Sequence, residues 1–135
     1  MVFGMHLTLD CYKCDPLKLN DMNTVYEFLN NMPEEIGMTR ISRPSVIRYE
    51  GGGWDKGGLT GFVFLAESHI SIHTFPDHGF FTADVYTCSE FDSEKVAKKI
   101  ADIFDARIVE KNVVIRGKKL DKETLMVQEE ANSEA

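Results

Sequence analysis

Residues 67–88 constrain the fold of this chain more than any other stretch. They run Glu67-Ser68-His69-Ile70-Ser71-Ile72-His73-Thr74-Phe75-Pro76-Asp77-His78-Gly79 and on to Cys88, placing two serines, three of the four histidines and a cysteine within 22 residues. A helix would scatter these polar groups around its axis, whereas a pair of short strands collects alternate side chains on one face. Ser71 and His73 are two apart and therefore cofacial, and Ser68, His69 and His78 fall where the chain is expected to turn. Chemically, the pattern points to a nucleophile with a base close by.

The flanking chain supplies the rest of a sheet. Residues 3–12 alternate loosely and read as a first strand, ended at Cys14-Asp15-Pro16, where proline restricts its neighbour and lacks a donor. Asn20 or Asp21 can cap a helix to about Met32, whose apolar face is Val25, Phe28, Leu29 and Met32, with Gly37 as its stop. Residues 38–50 regain strand character, with Pro44 at an edge or bulge. Five glycines in residues 51–58 make a loop that lets backbone approach a ligand, without the residue order of a phosphate loop. Residues 59–66 form a nearly continuous apolar strand, 70–75 and 80–88 two more, and 107–116 a last one. Asp92 or Ser93 caps a second helix with Val96, Ile100, Ile103 and Phe104 on one side.

This order predicts an α+β fold, an antiparallel sheet with two helices packed on one face, as a single domain over 4–116 followed by a polar, frayed tail over 117–135. Apolar positions on the uncovered sheet face call for a second subunit or layer. The 22 acidic residues against 15 basic ones, a net charge of −7, argue against nucleic-acid binding. No run approaches the ~18 apolar residues of a membrane span. Three cysteines and no leader sequence point to the reducing cytoplasm. Cys11 and Cys14 have metal-like spacing, but zinc needs four ligands and no second pair exists, so no metal is expected.

The stretch Glu67 to Gly79, with Asp84-Val85-Tyr86-Thr87-Cys88, resembles the self-processing region of the small prokaryotic S-adenosylmethionine decarboxylase proenzymes. Gly4-Met5-His6-Leu7 and Tyr12-Lys13-Cys14-Asp15 match that family's opening strand, and the resemblance covers about residues 4–116. It implies self-cleavage between Glu67 and Ser68, with Ser68 becoming a pyruvoyl cofactor and the two fragments staying associated in a homodimer of processed protomers. By the same resemblance, His73 is the processing base and Thr60 stands where the family has a serine that hydrogen-bonds the developing oxyanion or the attacking hydroxyl. Cys88 is the acid that returns a proton to the substrate after decarboxylation through a Schiff base. Trp54 stands in place of a family phenylalanine and Phe75 in place of a tryptophan as substrate-binding aromatics, joined by the new carboxylate of Glu67. The glycine-rich 51–58 segment departs from the family's Pro-x-Gly loop.

The implied activity is conversion of S-adenosylmethionine to its decarboxylated form for spermidine synthesis. Arginine or ornithine as substrate, or an unprocessed, non-catalytic homologue acting through its dimer interface, remain open alternatives. Apart from the resemblance, Ser68 reads as a strand-end serine, His73 as a hydrogen-bonded sheet histidine and Cys88 as a buried structural cysteine.

Overall fold

A computed structural model describes residues 2–128. Strands β1 (Gly4–Tyr12), β2 (Ser45–Glu50), β3 (Gly57–Leu65), β4 (Ser68–Phe75), β5 (Phe80–Thr87) and β6 (Ile108–Arg116) form one sheet in the order β2-β3-β4-β5-β1-β6. Every neighbouring pair is antiparallel. Helices α1 (Pro16–Leu19), α2 (Met22–Glu35) and α3 (Ser93–Ile103) complete the fold, with a single 3-10 turn at Pro76–His78.

Alternation decides the faces. Leu7, Leu9 and Cys11 of β1, Leu59, Val63 and Leu65 of β3, Ile70 and Ile72 of β4, and Phe81 and Val85 of β5 are buried. They pack with Val25, Phe28 and Leu29 of α2, Val96 and Ile100 of α3, and Phe104. Each such leucine, isoleucine or phenylalanine stabilises the fold by about 1.5–3 kcal/mol. Gly61 permits the close approach of α2: a Cβ there would lie 2.6 Å from Leu29 Cδ1. The opposite face carries His6, Thr60, Phe62, His69, Ser71, His73, Asp84 and Tyr86, and among the described residues no helix or second sheet covers it. Phe64 (58% exposed) and Ile47 (61%) lie on this open face, so the expected α+β sheet with helices on one side is present.

Several boundaries differ from those expected. The first long helix is capped by Asp21, whose side chain accepts from Thr24 N, but runs on through Pro33 to Glu35. Pro33 is itself buried, so packing in the last turn outweighs its helix-breaking tendency. Residues 38–50 are mostly irregular, with one bridge from Arg40 to Leu65 before β2 begins after Pro44. Asp15 caps α1, which the sequence reading had not separated from its loop. Within the expected tail, β7 (Leu120–Asp121) pairs with β8 (Met126–Val127) as a small hairpin, so this part is ordered rather than frayed. The expectation for residues 129–135 lies outside the described residues. No helix among the described residues is long and apolar enough to cross a membrane.

Candidate active site

The sequence-predicted site residues separate into three groups along strands β3 to β5. The first is at the β3–β4 turn. Leu65 pairs with Ser68, leaving a two-residue loop of Ala66 and Glu67. Ser68 and His69 are therefore the opening residues of β4, where a turn had been expected. Glu67 has φ 62°, in the left-handed region that such a tight turn demands and that glycine normally fills. A non-glycine residue held there costs about 1 kcal/mol or more. The backbone strain thus adjoins the Glu67–Ser68 peptide bond.

Cys88, one residue past β5, closes over that bond. Its Sγ donates to the Glu67 carbonyl oxygen at 2.8 Å, and its backbone N–H donates to Ser68 Oγ at 3.1 Å. Ser68 is only 8% exposed. The thiol draws electron density from the Glu67 carbonyl, and the hydroxyl able to attack that carbonyl belongs to the next residue. Buried Thr87 donates to Ser89 O at 2.6 Å and steadies the chain on either side of Cys88. Gly4 gives β1 room to lie against this segment, since a Cβ there would fall 2.6 Å from Thr87 O and 3.4 Å from Cys88 Cα.

The second group is Thr60 with His73, partners across β3 and β4, joined Oγ1 to Nδ1 at 3.2 Å. His73 is exposed on the open face, whereas Ser68 points to the helix side. They lie five positions apart along the strand, about 16–17 Å. The base expected close to the nucleophile is thus far from it within one chain.

The third group lies further along. Trp54, 64% exposed on the glycine-rich loop, meets Phe75 at 5.1 Å between ring centroids and stacks on His78 at 5.1 Å. Phe75 stacks on Phe80, which stacks on Tyr12. The structure brings Trp54 and Phe75, singled out from the sequence, into contact, and adds the rings that continue the row, for which the sequence gives no signal. His78 was visible as a turn residue, and its Nε2 lies 2.7 Å from Trp54 O.

Between these groups, Asp84 Oδ1 lies 3.1 Å from His6 Nε2, and Asp84 Oδ2 accepts from Ser71 Oγ at 3.4 Å. His69 stacks on Phe62. Burial first, and then the neighbouring His6, hold its pKa below the ordinary histidine value. Among the described residues, no group of three or more His, Cys, Asp or Glu is placed to hold a metal ion.

The backbone strain yields a direct prediction. On an uncleavable Ser68→Ala background, Glu67→Gly relieves the left-handed conformation. It should stabilise the chain by about 0.5–1 kcal/mol and raise Tm by roughly 2–4 °C in thermal melts. No gain in Tm would mean that the strain relieved at Glu67 is no larger than the chain entropy that glycine adds to the unfolded state.

Comparison with known proteins places these groups in context. The family profile described as S-adenosylmethionine decarboxylase matches residues 5–117. The S-adenosylmethionine decarboxylase proenzyme of Pyrobaculum islandicum is 40% identical over 97 residues, covering 72% of this chain and 74% of that protein. That of Bacillus velezensis is 32% identical over 114 residues, covering 84% and 86%. The crystal structure of the adenosylmethionine decarboxylase from Aquifex aeolicus superimposes with a TM-score of 0.70 at 32% identity, over 97% of this chain and 98% of that one. By profile, sequence and fold together, the chain belongs to the S-adenosylmethionine decarboxylase family.

Proposed function

We propose that the chain is a proenzyme that cuts itself between Glu67 and Ser68 and then decarboxylates S-adenosylmethionine, yielding the aminopropyl donor of spermidine synthesis. The observation that carries this reading is the Cys88 thiol on the Glu67 carbonyl, at a strained turn, with the Ser68 hydroxyl beside it. Ser68 Oγ attacks the Glu67 carbonyl carbon, the C–N bond breaks, and the amide becomes an ester. Loss of the Ser68 Cα proton expels the Glu67 carboxylate. The resulting dehydroalanine takes up water and releases ammonia, leaving a pyruvoyl group at residue 68.

A second copy of the chain completes this site. Thr60 and His73 lie too far from Ser68 to act on their own chain, yet they stand on the uncovered sheet face, His73 exposed and Thr60 half-buried. Two such faces packed about a two-fold axis exchange strand ends, which sets the Thr60–His73 pair of one protomer over the Glu67–Ser68 turn of its partner. The neutral imidazole of His73 then removes the Cα proton. Thr60 orients the ring through its hydroxyl. Burial of the apolar side chains on the open face, Phe64 and Ile47 included, stabilises the pair.

The pyruvoyl group supplies a ketone for the substrate amine and a conjugated amide that accepts the electron pair left when carbon dioxide departs. Cys88 remains at hand as the acid that returns a proton to the substrate carbon. Trp54 and Phe75 hold the adenine, and because the two rings are already in contact, Trp54 moves on its glycine loop to admit it. The new carboxylate of Glu67 stays within reach of the bound substrate. Free cysteines at positions 11, 14 and 88 suit the reducing cytoplasm.

Carbon dioxide release from S-adenosylmethionine, arginine and ornithine, each supplied to the purified protein, tests the substrate. Turnover with S-adenosylmethionine alone is expected, and preference for either amino acid would overturn this part of the reading. Cys88→Ala should slow chain scission about 10²-fold, the usual loss for one donor to a reacting carbonyl, with Cys88→Ser in between. Time courses on denaturing gels measure this, and unchanged scission in Cys88→Ala would remove the thiol from the cutting step.

A further inference from the structure

The family profile ends at residue 117, but the hairpin that follows returns to the site. Gly117 turns the chain with φ 65° and lies against the Phe3 ring. The hairpin is closed by Gln128 N donating to Lys119 O, and its tip is shaped by the Asp121 side chain accepting from Glu123 N at 3.0 Å. From that tip, Lys122 Nζ donates to the backbone carbonyl of Cys88 at 2.5 Å and lies 5.7 Å from the Phe3 ring centroid. Cys88 is already beyond the last residue of β5, so no strand ladder holds it. Its backbone N–H is held by Ser68 Oγ, and that hydroxyl is consumed when the chain is cut. The bond from Lys122 involves neither Glu67 nor Ser68, the two residues of the cut bond, and survives the cut.

We propose that Lys122 is a positioning residue that holds Cys88 in register, first against the Glu67 carbonyl and, after scission, against the substrate carbon. The proposal rests on the reading of Cys88 as the acid of the reaction. A proton delivered to the substrate carbon gives the decarboxylated amine and regenerates the ketone. Delivered instead to the chain's own carbon, it leaves the substrate nitrogen there. Hydrolysis then releases the substrate as an aldehyde, and the 68–135 fragment begins with alanine. The hairpin therefore guards against self-inactivation by fixing which carbon the thiol faces.

The test uses the full chain carrying Lys122→Met or Lys122→Arg, with two readouts. One is the rate of scission of the precursor. The other is the fraction of 68–135 fragments that acquire an amine-reactive N-terminus per turnover of S-adenosylmethionine. Lys122→Met should slow scission about tenfold, the loss of one charge-assisted hydrogen bond, and raise the amine-ending fraction by a similar factor. Lys122→Arg should restore both, which a merely structural contact of the lysine stem would not require. Where Lys122→Met fails to fold, judged by its Tm, Lys122→Ala removes the donor equally and is read in the same way. Wild-type scission and an unchanged amine-ending fraction in the Met variant, or in the Ala variant where Met fails to fold, would overturn this proposal alone. A wild-type chain that neither cuts nor turns over would overturn the underlying reading instead.

Discussion

Ser68→Ala should leave the chain uncut and without activity, lowering decarboxylation by at least about 10⁶-fold. Alanine removes the hydroxyl that attacks the Glu67 carbonyl. With no cut there is no ketone, and with no ketone there is no electron sink for decarboxylation. The fold itself should persist. Ser68 contributes a single acceptor, to the Cys88 N–H, whose loss costs about 1 kcal/mol. A melting curve within a few degrees of wild type, beside a single band on a denaturing gel, is the expected pair of results. Scission of the Ser68→Ala chain at its normal place would mean that the bond is cut by another nucleophile.

His73→Ala should slow scission by about 10²–10⁴-fold, the usual contribution of a positioned general base. The more telling experiment mixes two defective chains. His73→Ala keeps Ser68 but lacks the base, whereas Ser68→Ala keeps the base but has nothing to cut. If the base acts across the two-fold axis, co-expression should restore scission of the His73→Ala chain in mixed dimers and leave the Ser68→Ala chain whole. A mass tag on one chain tells them apart. If the base acts within its own chain, neither is cut. The separation of about 16–17 Å along β4, and the opposite facing of the two side chains, lead us to expect rescue.

Much of this arrangement could be read from the sequence, because its signals are local. Alternation over β4 fixes which of its residues face the helices, and the nearly continuous apolar run of β3 takes its faces from pairing with β4. The aspartates at 21 and 92 stand where side chains cap helix starts, accepting from Thr24 N and Lys95 N. The Glu67–Ser68 turn and Cys88 were legible as parts of one constellation because a short hairpin and an adjacent strand bring them together. What escaped is non-local or rests on packing. Pro33 is kept inside α2 by burial that no propensity reports. The odd spacing of Ser68 and His73 puts them on opposite faces of β4, but this follows only once Ser68 is known to be in the strand rather than in the turn. Tyr12 and Phe80 extend the aromatic row because β1 lies next to β5, a neighbourhood set by topology. Lys122 gave no signal at all, being one lysine in a polar tail.

The central claim is self-cleavage at Glu67–Ser68, and denaturing mass spectrometry of the freshly purified wild-type protein tests it most directly. The account predicts two fragments, residues 1–67 and 68–135, the second having lost ammonia and having no reactive N-terminal amine. A single chain of 135 residues that stays intact on incubation would contradict it.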